Sequence, residues 1–576
     1  MRSNATRFRA NPATDCPLLH SRVTPFPPAQ TGDHILQKVE ELIDWLADDK
    51  VGRLYAAVLV VALYFAFQTA TLPLLGLWAG NGVNIDDAEQ LIYLPHLAAG
   101  YGGSQPPLYN WIAWTISQGF GTSIVSLKLV RYVLLFVGFA ATHAAMRKLG
   151  YKQVTAAAAM FGLMTVPLLF WEAQHSLTHS VAAFAFCAVT LLAFANLVQV
   201  RTPLAYAGFG LAAALATLAK FNDVLMLGAL LSAAMTVRAY RPALVSPWIL
   251  LSMAVFVLVL TPTTVWSYYH SDAIFARISK FGIADDDDGM IGVRGEGLFK
   301  IIYATASFSM VTLVVYVLGF VWKRSFPRGQ DAFDAPRDKL LERALLIGLL
   351  AVLLLVVASG STSLRNRWLL PVLFLLPLYL AARMERLGEF GREVQRFVIA
   401  LAVVIALLVT PFTWYAQLMG GEGKSRTARL DFQELYHDLR ATGPVRTILG
   451  SSSWVGNFRL AESDLVLLNP EVPELKDLLQ DPAVLMWLDE DQPDPALIEI
   501  LRRADYELSS QTGTLIGKEQ FGSASGRRIY FARLHKRPRL NAVRDCRLYP
   551  SARPQVSTRA GGSMPSAHRR ASALPS

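Results

Sequence analysis

Three carboxylates, Asp86, Asp87 and Glu89, lie together in the stretch NIDDAEQ, directly after the first long apolar run of the chain. No lysine or arginine lies near them in the sequence. Their mutual repulsion is tolerable in water, but where water is excluded it raises the pKa of at least one of them. Such a cluster serves as a general base or as a cation site. On these residues alone, a solvated acidic loop is an equally good interpretation.

The next residues, GGSQPPLYNWIAW, are typical of a segment that lies in the membrane surface. The glycines let the backbone turn, and the Pro-Pro pair stiffens the entry to a helix. Tyr109, Trp111 and Trp114 are suited to the lipid headgroup region. An acidic loop beside an interfacial helix is what an enzyme needs if one of its substrates is a lipid.

Four cations could bind an anionic headgroup. Lys220 lies in LAKFN, Arg365 and Arg367 lie in STSLRNRW, and Arg131 lies within a long apolar run. Cations on the outer face run against the orientation bias of membrane proteins, and a buried phosphate would explain them. Snorkelling to lipid headgroups is the alternative for Lys220 and the loop arginines. For Arg131 the alternative is an ion pair with an acidic loop residue.

A histidine pair in EAQHSLTH is a further candidate. His175 and His179 are four residues apart and Glu172 is one turn earlier, so a helix would place all three on one face. They could hold zinc or another divalent ion. Hydrogen bonds to an acceptor or to Asp87 are the alternative, so a divalent cation is possible but no metal ligand is assigned.

The acidic run ADDDDG, at 284–289, lacks the spaced ligands of a calcium-binding loop. We interpret it as a solvated part of a mobile outer loop that covers the site when substrate binds.

These residues must be positioned by membrane helices. Of the 576 residues, 53% are hydrophobic and only 17% are charged. The apolar runs are continuous rather than alternating, which indicates helices and not a barrel. Runs of about 17 to 25 apolar residues predict a polytopic α-helical membrane protein with eleven transmembrane helices, near 54–78, 124–146, 153–171, 179–199, 203–219, 221–237, 245–266, 301–322, 340–358, 368–382 and 395–415.

The positive charges set the orientation. With a cytoplasmic N-terminus, every inside loop contains lysine or arginine, and the acidic cluster lies outside. Orientation accounts for much of the net charge of +10, so nucleic acid is not expected as a partner. Cys16, Cys187 and Cys546 give no disulfide framework.

Four regions are expected along the chain. Residues 1–35 and 541–576 are predicted to be disordered tails, the second of them basic. Residues 36–415 form the membrane domain. After residue 416 the apolar pattern changes, and helical and strand-like stretches alternate over 420–540. This pattern predicts a small α/β domain on the outer, periplasmic side.

Together these motifs resemble the polyprenyl-phosphate-sugar-dependent glycosyltransferases of the GT-C class, a group that includes protein O-mannosyltransferases and the aminoarabinose transferase that modifies lipid A. The resemblance covers most of 54–415. DDAEQ and GYGGSQPPLYNW are most similar to the rhizobial branch that includes galacturonosyltransferases of lipopolysaccharide. Three further stretches carry the resemblance, WEAQHSLTHSVAAF at 171–184, LATLAKFNDVLML at 215–227 and STSLRNRWLLPVLFLLPLYL at 361–380.

The resemblance implies a reaction at the periplasmic face of a bacterial inner membrane. An acceptor hydroxyl displaces the sugar of a polyprenyl-phosphate donor at its anomeric carbon, with inversion, and the lipid phosphate leaves. The acceptor is lipopolysaccharide, lipid A or another cell-envelope glycan. Such a reaction needs a base, cations on the departing phosphate and a groove for the isoprenoid among the membrane lipids.

The resemblance also implies residue roles. Asp86 is the expected base and Asp87 its partner or an acceptor-orienting group. The aminoarabinose transferase has a lysine where this chain has Gln105, which puts a carried-over phosphate role for Gln105 in doubt. The expected phosphate-binding residues are Lys220, Arg365, Arg367 and Arg131, and the expected substrate-lining residues are Glu89, Gln105, Tyr109, Glu172, His175, His179 and Asn222.

Three alternatives stay open. A protein acceptor, instead of a glycolipid or glycan, is compatible with every motif. A transporter of lipid-linked sugars should carry ionisable groups near the membrane midplane and repeated halves, whereas here the charges gather on one face. A noncatalytic subunit would be expected to lack the acidic pair.

Overall fold

The computed structural model describes residues 30–80, 82–102, 105–271, 290–323, 335–359, 365–419, 427–470, 472, 475–488, 492–519 and 526–537. The acidic run at 284–289, the C-terminal tail and most of the predicted N-terminal tail lie outside these ranges. The first helix begins at Gln30, inside the range predicted as a tail. The described residues between 30 and 535 group into one compact unit.

Long helices dominate the chain before residue 420. A short hairpin of β1 (Lys50–Val51) and β2 (Leu54–Tyr55) separates the first two of them. The helices are α1 (Gln30–Asp48), α2 (Ala56–Ala79), α3 (Ile85–Tyr93), α4 (Leu108–Phe120), α5 (Ile124–Lys148), α6 (Gln153–Gly162), α7 (Ala173–His175), α8 (Thr178–Val200), α9 (Pro203–Ala219), α10 (Asp223–Thr236), α11 (Arg241–Leu244), α12 (Ile249–Tyr269), α13 (Met290–Lys323), α14 (Pro336–Ser359), α15 (Leu370–Leu373), α16 (Leu375–Glu385) and α17 (Gly388–Met419).

Seven of the described helices are long and apolar enough to cross a membrane, namely α2, α5, α8, α12, α13, α14 and α17. An eighth span results if the pair Gln153–Thr165 and Leu168–His175, bent by 78°, is taken as one. The predicted spans at 203–219 and 221–237 correspond to the shorter apolar helices α9 and α10. The predicted span at 368–382 is divided between α15 and α16. A polytopic helical membrane protein is confirmed, while the count of eleven stays a prediction.

The spans pack closely where one residue is small. A Cβ atom added at Gly138 of α5 would lie 2.3 Å from the ring of Phe184 on α8. A Cβ atom added at Gly210 of α9 would lie 2.2 Å from the carbonyl oxygen of Ser252 on α12. Small residues at such crossings let membrane helices approach, because dispersion rather than the hydrophobic effect holds them together in lipid.

Polar contacts join the ends of several helices at the face predicted to be cytoplasmic. The Tyr151 hydroxyl donates to Asp338 over 2.7 Å, and the guanidinium of Arg386 pairs with the same carboxylate. Arg337 pairs with Glu385 over 3.0 Å. The arginine-rich loops therefore meet at one end of the bundle. The acidic cluster lies at the other end, because α2 runs between the two.

A five-stranded mixed sheet follows the last span. Its strands are β3 (Thr447–Leu449), β4 (Val466–Leu468), β5 (Ala483–Leu488), β6 (Tyr506–Gly517) and β7 (Arg527–Lys536). The strand order is β4-β3-β5-β7-β6, with β3 parallel to β4 and β5, and β7 antiparallel to β5. Helices α18 (Phe432–Ala441), α19 (Phe458–Ala461), α20 (Leu475–Leu478) and α21 (Pro495–Arg503) accompany it. The sequence predicts strands at VRTILG, AVLMWLD and RRIYFARLH, which contain β3, β5 and most of β7, whereas β4 and β6 were not expected.

Candidate active site

Helix α3 presents the acidic cluster. Its first turn holds Asp86 and Asp87, where the positive end of the helix dipole favours carboxylates. Asp86 and Glu89 are three residues apart on this helix, as expected, and both are half-buried. Asp87 is fully buried. The two aspartates therefore have different surroundings and cannot share one role.

Asp86 is held by a turn from another helix. Its carboxylate accepts a hydrogen bond from the backbone N–H of Leu177, at the start of α8. Leu177 has a φ of 69°, a left-handed conformation that a leucine rarely adopts and that is strained. The amide of Asn84 donates to the carbonyl of His175 in the same turn over 3.3 Å. Strained backbone that contacts a half-buried carboxylate is typical of a functional site.

This turn corrects the prediction for the histidines. His175 ends α7, Ser176 is extended, and α8 begins at Thr178, so His175 and His179 do not share one helical face. The break has a physical cause, because Leu177 leaves the helical conformation where its N–H meets Asp86. The Nδ1 atom of His175 contacts the carbonyl oxygen of Trp171 at 2.8 Å. The described residues contain no group of three His, Cys, Asp or Glu side chains that could hold a metal.

Asp87 forms a buried ion triad. One carboxylate oxygen lies 3.2 Å from the Lys128 ammonium, and the other pairs with the Arg131 guanidinium. Burial acts to raise the pKa of Asp87, but the charges of Arg131 and Lys128 outweigh it and the pKa is lowered. Asp87 thus anchors α3 to α5 through its ion pairs.

The structure favours the structural alternative for Arg131. Its guanidinium has no exposed surface and, besides pairing with Asp87, donates to the carbonyls of Ala173 and Ser176 over 3.3 and 2.9 Å. Arg131 therefore holds the turn that contacts Asp86. Its buried Nε atom has no hydrogen-bond partner among the described residues, and a role of Arg131 in phosphate binding stays a prediction.

Lys220 lies near Asp86 in the loop between α9 and α10. Its ammonium donates to the hydroxyl of Ser180 over 2.9 Å and to the carbonyl of Arg367 over 3.2 Å. Burial lowers the pKa of Lys220 to about 8, while the negative charges of Asp223 and, more weakly, Asp86 raise it. The negative charge of Asp86 therefore reaches the Lys220 ammonium.

The loop around Arg367 completes the cationic side. Arg367 is half-buried and its charge acts on both Glu172 and Lys220. The Asn222 amide donates to the carbonyl of Trp368 over 2.8 Å and so ties this loop to Lys220. Arg365 is exposed at the edge of the same loop. Glu172, Asn222 and Arg367 are thus brought near Lys220, and their substrate-lining and phosphate-binding roles stay predictions.

The interfacial helix α4 differs in part from expectation. Trp111 and Trp114 are half-buried, but Tyr109 is fully buried and not at the lipid surface. Its ring lies 5.6 Å from that of His179, and burial raises the pKa of Tyr109. Gln105 is half-buried just before the helix.

The role of Lys128 as a partner of Asp87 was not predicted from the sequence. It lies three residues before Arg131 in the apolar run of α5, which is one helical turn. Two cations on the same face of a membrane helix are costly unless an anion pairs with them. That spacing could have identified both as partners of the acidic loop.

Support from the C-terminal region was also missed. The Asn457 side chain accepts from the N–H of Val83 over 2.6 Å and donates to the carbonyl of Val83 over 3.2 Å. Arg459 donates to the carbonyl of Leu91 over 3.4 Å. A Cβ atom at Gly456 would lie 1.7 Å from the carbonyl oxygen of Ala88. Residues 456–459 therefore contact the segment before α3 and the middle and C-terminal part of α3 itself.

Gly456→Ala is expected to reduce any activity that depends on Asp86, because the added methyl group must displace the helix that carries Asp86. Turnover should fall on the order of tenfold or more, as for other displacements of a catalytic group. Gly208→Ala is the matched control, since a Cβ atom at Gly208 meets nothing within 4 Å. Equal turnover of the two variants would show that residues 456–459 do not position α3.

The chain is similar to known glycosyltransferases. Residues 104–266 match the family described as dolichyl-phosphate-mannose-protein mannosyltransferase. The lipopolysaccharide core galacturonosyltransferase RgtB of Rhizobium johnstonii is 29% identical over 435 residues, which are 74% of this chain and 86% of the relative. The galacturonosyltransferase RgtA of the same organism is 26% identical over 72% of this chain and 82% of its own length.

A solved structure shares the fold. ArnT from Cupriavidus metallidurans, bound to undecaprenyl phosphate, superimposes with a TM-score of 0.52 at 13% sequence identity. The match covers 83% of this chain and 98% of that chain. Together with the sequence matches, it confirms the resemblance drawn from the motifs. The protein is a multi-pass membrane glycosyltransferase that resembles the GT-C class.

Proposed function

We propose that the protein transfers a sugar from a polyprenyl-phosphate carrier to the lipopolysaccharide core, with inversion at the anomeric carbon. The observation that carries the proposal is the half-buried Asp86 carboxylate, held by Leu177 and acting electrostatically on the Lys220 ammonium. The lipopolysaccharide acceptor is supported by the two galacturonosyltransferase relatives. The carrier is supported by the undecaprenyl phosphate bound to ArnT.

The site residues divide the reaction between them. Asp86 accepts the proton of the acceptor hydroxyl as its oxygen attacks the anomeric carbon. The bond from that carbon to the phosphate oxygen breaks, and the phosphate leaves with the electron pair. Lys220 and Arg367 stabilise the charge that develops on it. Asp86 also stabilises the positive charge that develops on the sugar, which compensates for the weak basicity of an ordinary aspartate.

The site gives the other residues supporting roles. The buried ion triad of Asp87, Lys128 and Arg131 fixes the position of α3 and of the turn at Leu177. The base is therefore held in place before substrate binds. Glu89, Glu172, His175, His179 and Asn222 are assigned to the sugar and the acceptor. The polar side faces the periplasm of a bacterial inner membrane, with the N-terminus in the cytoplasm and a periplasmic domain over 420–540.

The test is a deletion strain analysed by mass spectrometry of its lipopolysaccharide and lipid A. One sugar should be missing from the core and should return when the wild-type gene is supplied. An unchanged lipopolysaccharide profile in the deletion strain would contradict the proposed acceptor.

A protein acceptor is the second candidate. It is favoured by the family match over 104–266, whose description names protein mannosylation. The same deletion strain distinguishes it, because the missing sugar would then be found on periplasmic proteins and not on lipopolysaccharide.

Arg367→Gln is expected to weaken donor use, because a cation on the departing phosphate is lost. Charge-assisted hydrogen bonds contribute about 1.5 to 3 kcal/mol, so the donor KM should rise on the order of tenfold to a hundredfold. Arg238→Gln removes an exposed charge beyond the far end of α10 and should leave KM unchanged. A KM for the donor equal to that of wild type in Arg367→Gln would remove Arg367 from the phosphate site.

A further inference from the structure

A basic cavity lies at the membrane face opposite Asp86. Helix α2 begins at Ala56 on this face and ends shortly before Asp86, while α5 runs the other way and ends here at Lys148. The cavity between these two helix ends has a volume of about 540 Å³. It is lined by Arg53, Tyr55, His143, Arg147 and Lys148, together with small apolar residues of both helices. A full membrane span separates it from the proposed active site.

The charges around the cavity are unbalanced. Three of its lining residues are cations, and none of the residues that line it is acidic. The ammonium of Lys50 lies 4.6 Å from the centre of the Tyr55 ring, so a fourth cation borders the site. The Nε atom of Arg147 is buried without a hydrogen-bond partner among the described residues. Converging cations with an unsatisfied buried donor favour an anionic ligand.

The surroundings indicate that this ligand is a lipid. The β1–β2 hairpin beside the cavity exposes Val51 and Leu54, whose exposed fractions are 44% and 54%. Apolar side chains next to cations at the end of membrane spans are typical of the lipid headgroup boundary. There the apolar side chains contact acyl chains and the cations contact phosphates. A soluble anion would not require the exposed apolar residues.

We propose that this cavity binds the phosphodiester of an anionic glycerophospholipid, such as phosphatidylglycerol. Arg53, Arg147 and Lys148 contact the phosphate, and the acyl chains extend along the apolar surfaces of α2 and α5. The lipid holds the hairpin against the end of α5 on the face away from the chemistry. The proposal is independent of the sugar and the acceptor.

The test measures lipid binding to the purified full-length protein by native mass spectrometry. Phosphatidylglycerol is compared with phosphatidylcholine of the same acyl chains, and binding of phosphatidylglycerol should be at least about tenfold tighter. The double variant Arg53→Gln, Lys148→Gln should lower the affinity for phosphatidylglycerol on the order of tenfold to thirtyfold, since each cation near the lipid surface contributes about 1 kcal/mol. The affinity for phosphatidylcholine should not change.

Lys152→Gln is the matched control, because Lys152 is an exposed lysine four residues from Lys148 at the same face and does not line the cavity. It should bind phosphatidylglycerol as wild type does. Equal affinity of wild type for the two lipids would overturn the proposal, and so would wild-type affinity in the double variant. Displacement of phosphatidylglycerol by millimolar inorganic phosphate would also overturn it, because the occupant would then be free phosphate.

Discussion

Asp86→Asn is expected to reduce sugar transfer by about two to four orders of magnitude, the usual contribution of general base catalysis. Asparagine has the same shape and its amide oxygen can still accept from the N–H of Leu177, but it cannot take the proton of the acceptor hydroxyl. The measurement is single-turnover transfer with the purified enzyme and a polyprenyl-phosphate sugar. Donor binding, measured separately, should change little because the cations stay in place.

Glu89→Gln is the control for this prediction. Glu89 is one helical turn beyond Asp86 on the same face and is half-buried like it, so its loss removes the same charge nearby. Its effect on turnover should be at least tenfold smaller than that of Asp86→Asn, since a lining role does not include proton transfer. Wild-type turnover in Asp86→Asn would remove Asp86 as the base.

Asp87→Asn is expected to be the most destabilising single substitution in the site. It leaves two buried cations, Lys128 and Arg131, without their counter-charge. Breaking a buried ion pair in this way costs about 3 to 5 kcal/mol. The variant should show a markedly lower melting temperature in detergent and a reduced yield of folded protein.

Lys128→Met separates charge from packing in this triad. It removes one cation and leaves the Asp87–Arg131 pair intact, so the net charge of the buried cluster falls from plus one to zero. Its loss of stability should be smaller than that of Asp87→Asn. If Lys128→Met were the more damaging of the two, the triad would owe its stability to the packing of Lys128 rather than to the charge of Asp87.

Much of the membrane architecture could be predicted from the sequence, because continuous apolar runs have few other uses. The spans α2, α5, α8 and α17 lie close to their expected positions. Strands β4 and β6 were missed for different reasons. Strand β4 has only three residues, too few for a pattern. Strand β6 has twelve residues, but many are exposed and polar, so alternation is weak.

The acidic cluster was also predictable from the sequence, but the different roles of Asp86 and Asp87 were not. The helix over Asp86 and Glu89 follows from local spacing. Asp87 faces two cations on α5 because of the way α3 packs against α5. No local sequence pattern specifies this packing. The break between His175 and His179 is caused by a contact between Leu177 and Asp86, residues that lie 91 positions apart. The support of α3 by Asn457 spans 374 positions and was invisible for the same reason.

The most direct test of the proposed roles of Asp86, Lys220 and Arg367 is a structure of the enzyme with a non-transferable analogue of a polyprenyl-phosphate sugar. We predict that the phosphate contacts Lys220 and Arg367 and that the anomeric carbon lies on the side of the Asp86 carboxylate. A donor headgroup bound away from Lys220 and Arg367, or with Asp86 remote from the anomeric carbon, would contradict this prediction.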